Sequence, residues 1–235
     1  MRGRDAKVRS SEGPQFDCYL AAPATDRRMP AVVLASSIRG VDHDLRAIDD
    51  ELAAGGCIAA APDLFWRTVP GPLERDDARL ALRGQPRLEK IKAGEQDLTD
   101  VLSMLRELSS FNGRAAVIGF CYGGPYAILG PKRLGYDAGV SCHGSQMLDF
   151  ITELEGVGQP VCIIWGDQDH LAPAPVRDAY LAVPVRTRNV EVRVFAGVRH
   201  GFMMRGNTEA FDAGVYSLSM ASVFDLLESL RGKEL

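Results

Sequence analysis

Short apolar runs of strand length recur along the chain, at residues 30–36 (PAVVLAS), 57–61 (CIAAA), 114–119 (RAAVIG), 138–142 (AGVSC), 160–165 (PVCIIW) and 190–195 (VEVRVF). Several are apolar at consecutive positions, as a strand buried on both faces must be. A weaker run at 16–20 predicts an antiparallel entry strand. Between the runs the period changes. Val41, Leu45, Ile48 and Leu52 keep a spacing of three or four, and Gly55-Gly56 follow as a helix stop. Leu98, Val101, Leu102, Leu105 and Leu108 form a second one-sided stripe. A third helix is expected over about 209–230. Strand alternating with helix predicts an α/β protein with a doubly wound, mostly parallel sheet flanked by helices.

One stretch breaks this rhythm. Residues 67–90 are polar and carry three prolines. The stretch is too long for an ordinary connection and follows the carboxyl end of a strand, where ligands bind in such sheets. The expectation is a lid or substrate-contacting excursion, against a short structural helix. No repeat or linker divides the remainder, so 1–235 reads as one domain.

Composition narrows the classes. With 46% apolar residues the chain can build a core, and its net charge is −4. No basic run interleaved with aromatics points to nucleic acid. No apolar stretch is long enough to span a membrane, and the N-terminus lacks a signal-peptide core, so a cytoplasmic location is expected. The five cysteines include no CxxC pair, which suggests neither a disulfide framework nor a metal site. Cys18, Cys57, Cys142 and Cys162 lie in or beside apolar runs and read as small buried hydrophobes.

Cys121 differs. Gly119-Phe120-Cys121-Tyr122-Gly123 joins an apolar strand to an apolar helical run. This is the nucleophile-elbow pattern G-x-Nuc-x-G with cysteine as the nucleophile. The chain passes so close on either side that only glycine fits the flanking positions. The turn aims the backbone N–H of Tyr122 at a developing oxyanion, and a helix N-terminus there favours the thiolate. A base and an orienting acid should follow in the order nucleophile, acid, histidine. His200 lies after the last strand and before the last helix. Asp167 and Asp169 both follow the preceding strand and either could reach it. We assign Asp169 to the histidine and Asp167 to the turn. His170 then points elsewhere. The second oxyanion donor is expected from the 36–40 loop, at the N–H of Ile38.

With these pieces placed, the chain resembles the dienelactone hydrolase (carboxymethylenebutenolidase) family of the α/β-hydrolase fold. The resemblance rests on GFCYGGPYA, AAPDLFWR, WGDQDHLAPAP and AGVRHGFMMR and spans nearly the whole chain. It implies cleavage of a lactone or activated carboxylic ester through a thioester on Cys121, with no cofactor or metal. The substrate is then a small-molecule ester or lactone, which the family's arginine pair allows to bear a carboxylate. Alignment with the family places Ser37 where it carries a glutamate that helps activate the thiol. The two carboxylate-gripping arginines fall on Arg205 and Arg79, with Arg39 and Arg83 as competitors. Phe65, Trp66, Tyr122, Tyr126, His143 and Phe202 are candidate pocket or core residues. An acyltransferase and an idle ligand-binding homologue are the alternative readings. A redox-sensor thiol is a third, with Cys142 as the nearest candidate partner. Oligomeric state is not legible in the sequence.

Overall fold

The computed structural model describes residues 2–232. Eight strands form one sheet: β1 (Arg4–Arg9), β2 (Gln15–Ala21), β3 (Met29–Ala35), β4 (Ile58–Pro62), β5 (Phe111–Phe120), β6 (Ala138–Cys142), β7 (Val161–Gln168) and β8 (Val190–Arg199). Their order across the sheet is β1-β2-β4-β3-β5-β6-β7-β8. β2 runs antiparallel to both β1 and β4, and every pairing from β4 to β8 is parallel. β1 is an addition to the expected set. Its RDAKVR sequence is mostly polar and exposed, which suits an edge strand that buries little beyond Val8.

The central strands alternate between two cores. Ala31, Val33, Ala115 and Val117 face one side, and Val32, Leu34, Ala116 and Ile118 face the other. The helices α1 (His43–Ala54) and α6 (Ala213–Ser229) cover the second face through Leu45, Ile48, Leu52, Met220 and Val223. The first face is covered by α3 (Arg87–Arg106), α4 (Tyr126–Leu129) and α5 (Ala174–Arg186). Between β4 and α3 the polar excursion carries one short helix, α2 (Leu80–Gly84). Asp42 caps α1 by accepting the Leu45 N–H at 3.0 Å, and Asp212 caps α6 by accepting that of Val215 at 2.9 Å.

The connections after β3, β4, β5, β6, β7 and β8 all emerge at the carboxyl end of the parallel strands. The sequence signals gather in those connections. Among the described residues no helix is long and apolar enough to cross a membrane.

Candidate active site

β5 delivers Cys121 into a 3-10 turn over Cys121–Gly123. The cysteine sits at φ 48°, in the left-handed region that side chains normally avoid. The two glycines that bracket it have a steric reason. A Cβ on Gly119 would lie 2.1 Å from the Gly123 carbonyl oxygen, and one on Gly123 would lie 2.2 Å from that of Ala35. The elbow is therefore pressed against β3. Beyond the elbow the backbone stays right-handed helical at Gly124, Pro125, Leu129 and Gly130, running through α4 into a wider turn over Gly130–Leu134 that holds Pro131.

The loops after β7 and β8 bring Asp169 and His200 together. Asp169 Oδ1 accepts the Leu171 N–H at 2.8 Å, and its Oδ2 lies 2.8 Å from His200 Nδ1. A carboxylate only accepts, so Nδ1 carries a proton and Nε2 is the free ring nitrogen. Asp169 is almost fully buried and His200 is 12% exposed. Asp167 instead accepts the Gly197 N–H at 2.7 Å, bracing the end of β8. His170 does not point away: its ring packs edge-on to His200, with centroids 5.6 Å apart.

His200 and Cys121 share a cavity of about 210 Å³ with Ser37, Ile38, Arg39, Arg75, Leu80 and His143, closed by Gly201, Met204 and Asn207. Burial pushes the Cys121 thiol up, but the His200 imidazole, the Ser145 hydroxyl and the Arg87 charge outweigh it, so its pKa falls below the ordinary value. For His200, burial works against the charge. Asp169 and Cys121 more than offset this and raise the imidazole to about 10. Each shift favours the charged form of the group, the thiolate for Cys121 and the imidazolium for His200.

The loop expected to supply an oxyanion donor is tied to the excursion by a buried arginine. Arg83, expected as a competitor for substrate, is fully buried. It stacks 4.4 Å over Phe65 and donates to the carbonyls of Ile38 (2.9 Å), Val69 and Gly71. It thereby ties the excursion to the Ile38 peptide. Arg87 likewise donates to the Tyr122 carbonyl at 2.8 Å and lies 3.7 Å over the Tyr122 ring. Each residue expected to offer an oxyanion N–H thus has its own carbonyl, one peptide further on, held by a buried guanidinium. Ser37 lines the cavity, and its hydroxyl accepts the Arg39 N–H at 3.2 Å.

The two expected substrate arginines lie elsewhere. Arg79 is 60% exposed and folds onto Asp77 at 2.7 Å. Arg205 pairs with Glu51 at 3.1 Å and stacks on Tyr216, facing α1 and α6. The arginines on the cavity wall are Arg39, which is paired with Asp42 at 2.8 Å, and Arg75. Of the six aromatic and imidazole candidates only His143 lines the cavity. It is buried at φ 42° after β6, edge-on to His200 at 5.0 Å, and burial holds its pKa well below the usual value. Phe65, Tyr122, Tyr126 and Phe202 are core, and Trp66 stacks on Phe16. Cys142 is fully buried within β6, and burial raises its thiol. No three His, Cys, Asp or Glu among the described residues group as metal ligands.

A model of the dienelactone hydrolase family matches residues 16–230. The chain belongs to the dienelactone hydrolase family. It is 28% identical to carboxymethylenebutenolidase 1 of Cupriavidus pinatubonensis, over 98% of this chain and 99% of that protein. It is 26% identical to the carboxymethylenebutenolidase of Pseudomonas putida, covering 97% of each. Among solved structures, a dienelactone hydrolase-like promiscuous phosphotriesterase from metagenomic libraries superposes with a TM-score of 0.81. Its sequence identity is 19%, with 99% of this chain and all of that one covered. Membership of this family makes the protein a carboxylic ester or lactone hydrolase of the α/β-hydrolase superfamily.

Proposed function

We propose that the protein hydrolyses a small lactone or activated carboxylic ester with Cys121 as nucleophile, His200 as its acid–base partner and Asp169 as the group that orients the imidazole. One observation carries the reading. The His200–Asp169 contact of 2.8 Å leaves Nε2 free on the cavity wall that also carries a conformationally strained cysteine.

The steps follow from the charges. The Cys121 thiolate attacks the ester carbonyl and forms the C–S bond. The developing oxyanion is met by the N–H groups of Ile38 and Tyr122, each typically worth about 3–4 kcal/mol. The carbonyl re-forms and the C–O bond breaks. The His200 imidazolium gives its proton to the departing oxygen. Neutral His200 then takes a proton from water, whose oxygen attacks the thioester. Collapse of this second tetrahedral adduct releases the carboxylic acid and returns the thiolate beside the imidazolium. A thiolate expels an alkoxide or enolate far more readily than an amide nitrogen, which favours esters and lactones over peptides.

Arg75 is exposed at the cavity and has no acidic partner among the described residues, whereas Arg39 is committed to Asp42. A substrate carrying a carboxylate on the acyl side would find Arg75 there.

The test is Cys121→Ala assayed on p-nitrophenyl acetate and on a five-membered enol lactone. The expected loss is about a thousandfold or more in kcat/KM. Undiminished turnover by the variant would overturn the assignment.

A further inference from the structure

The Cys121 sulfur has a neighbour that the proposed triad does not use. Ser145 lies in the loop after β6, and its backbone N–H donates to the Cys121 carbonyl at 2.9 Å. Its side chain returns to the same residue, with Oγ 4.0 Å from Cys121 Sγ. Behind Ser145 stands Arg87, from the first turn of α3. One of its terminal nitrogens donates to the Tyr122 carbonyl at 2.8 Å and to the Ser145 carbonyl at 3.2 Å. It also lies 3.5 Å from Ser145 Oγ. Arg87 is buried, and no carboxylate pairs with it among the described residues. A buried cation without a counter-ion is costly unless a negative charge forms nearby.

We propose that Ser145, held and polarised by Arg87, is a hydrogen-bond donor that stabilises the Cys121 thiolate, so that a guanidinium–hydroxyl–thiolate line supports the nucleophile alongside the imidazole. The valences allow it. Ser145 Oγ accepts from the guanidinium and spends its single proton on sulfur. A contact of 4.0 Å is long for a neutral thiol. Charge on the sulfur shortens such a bond and strengthens it roughly twofold. The backbone bond from the Ser145 N–H to the Cys121 carbonyl fixes the geometry without help from substrate.

The charged and titratable groups facing Cys121 are few. His200 comes from the loop after β8 and Arg87 from α3. On the cavity wall stand Arg39 from the β3 loop, Arg75 from the excursion and His143 from the β6 loop. His143 stays neutral. Ser145 and Arg87 both favour the charged sulfur, opposing the penalty of its burial.

The proposal rests on Cys121 being the nucleophile, but its test reads the sulfur itself rather than turnover. Iodoacetamide alkylation of Cys121 would be followed against pH by peptide mass in the wild type, Ser145→Ala and Ser145→Thr, with thermal melting as the control for folding. The wild-type rate should titrate below the free-cysteine value of about 8.5. Ser145→Ala should move that titration upward by about half a unit to one unit, slowing alkylation at pH 6.5 about three- to tenfold. Ser145→Thr keeps the hydroxyl and should restore the wild-type profile. Superimposable profiles for Ser145→Ala and wild type, at equal melting temperature, would overturn the proposal. So would a Ser145→Thr profile that follows Ser145→Ala. If Cys121→Ala retained full esterase activity, the triad reading would fail while the alkylation profiles still decided the role of Ser145.

Discussion

Arg83 Nη1 donates to the Ile38 carbonyl oxygen at 2.9 Å, joining α2 to the loop after β3. Arg83 is buried with no carboxylate paired to its guanidinium among the described residues, and it spends its donors on three backbone carbonyls. The carbonyl it holds is that of Ile38, the residue whose N–H, one peptide earlier, is proposed to meet the oxyanion. The excursion therefore braces that residue, besides contributing Arg75 and Leu80 to the cavity wall.

Replacing Arg83 by Met keeps the stacking on Phe65 and removes every donor. Three carbonyls lose their partner, at about 1–3 kcal/mol for each that stays buried. Arg83→Met should melt earlier. It should lose kcat by about ten- to a hundredfold with KM less affected, because the displaced N–H acts on the transition state more than on bound substrate. Steady-state kinetics on an activated ester, with a melting curve, checks both effects.

What the sequence showed follows from which forces are local. The runs at 30–36, 114–119 and 160–165 are apolar on both faces, so their burial in the middle of a parallel sheet was readable, as was the glycine-bracketed cysteine. β1 was not readable because RDAKVR buries one side chain. The early part of α3 was hidden by RLEK, whose charge masks the apolar stripe that begins at Ile91. α5 has little amphipathic pattern and a proline at 184. The arginines were misplaced for a different reason. Nearness to His200 along the chain does not fix where a side chain points, and Arg205 finds Glu51 and Tyr216 on the opposite side of its turn. Arg87 and Ser145 carry no local signature, because their roles depend on carbonyls 35 and 24 residues away in the chain.

The substrate arginine can be separated by comparing three variants. Arg75→Ala should raise KM for an ester with an acyl-side carboxylate by about five- to fiftyfold, the range expected for loss of a charge-assisted contact. It should leave p-nitrophenyl acetate nearly unchanged. Arg79→Ala and Arg205→Ala should stay within about twofold of wild type on both substrates, since their partners are surface carboxylates. Equal KM values for Arg75→Ala and wild type on the carboxylated ester would remove Arg75 from recognition.

Gly119 tests the elbow itself. An added methyl would meet the Gly123 carbonyl at 2.1 Å, and the obstacle is backbone that cannot rotate away. Gly119→Ala should cost at least about 3 kcal/mol, through overpacking and displacement of the turn. Denaturant unfolding would measure the loss. Gly158→Ala, where nothing lies within 4 Å of the new carbon, provides a control expected to stay within about 1 kcal/mol.

The pH dependence of kcat/KM follows from the two shifted groups. Cys121 is lowered, so the nucleophilic thiolate persists at pH values where free cysteine is protonated, and it is lost as pH falls through the lowered value. His200 is raised to about 10, so the imidazolium that protonates the leaving oxygen is lost as pH rises through that region. The profile for an ester with a poor leaving group should therefore be a bell with its base limb near pH 10. For p-nitrophenyl esters, whose leaving group needs no proton, the base limb should flatten while the acid limb stays. Asp169→Asn removes the charge that raises His200. It should cost about a hundred- to ten-thousandfold in kcat/KM and draw the base limb toward neutrality. The same groups act on folding. The His200 contribution is complete below its unfolded value of about 6.5 and disappears as pH rises through about 10, whereas the Cys121 contribution is present above about 8.5 and lost as pH falls through its lowered value. Melting curves between pH 7 and 11 should therefore show a wild-type stability advantage over His200→Asn that shrinks toward pH 10. An advantage that grew with pH would contradict the charged imidazole in the resting site.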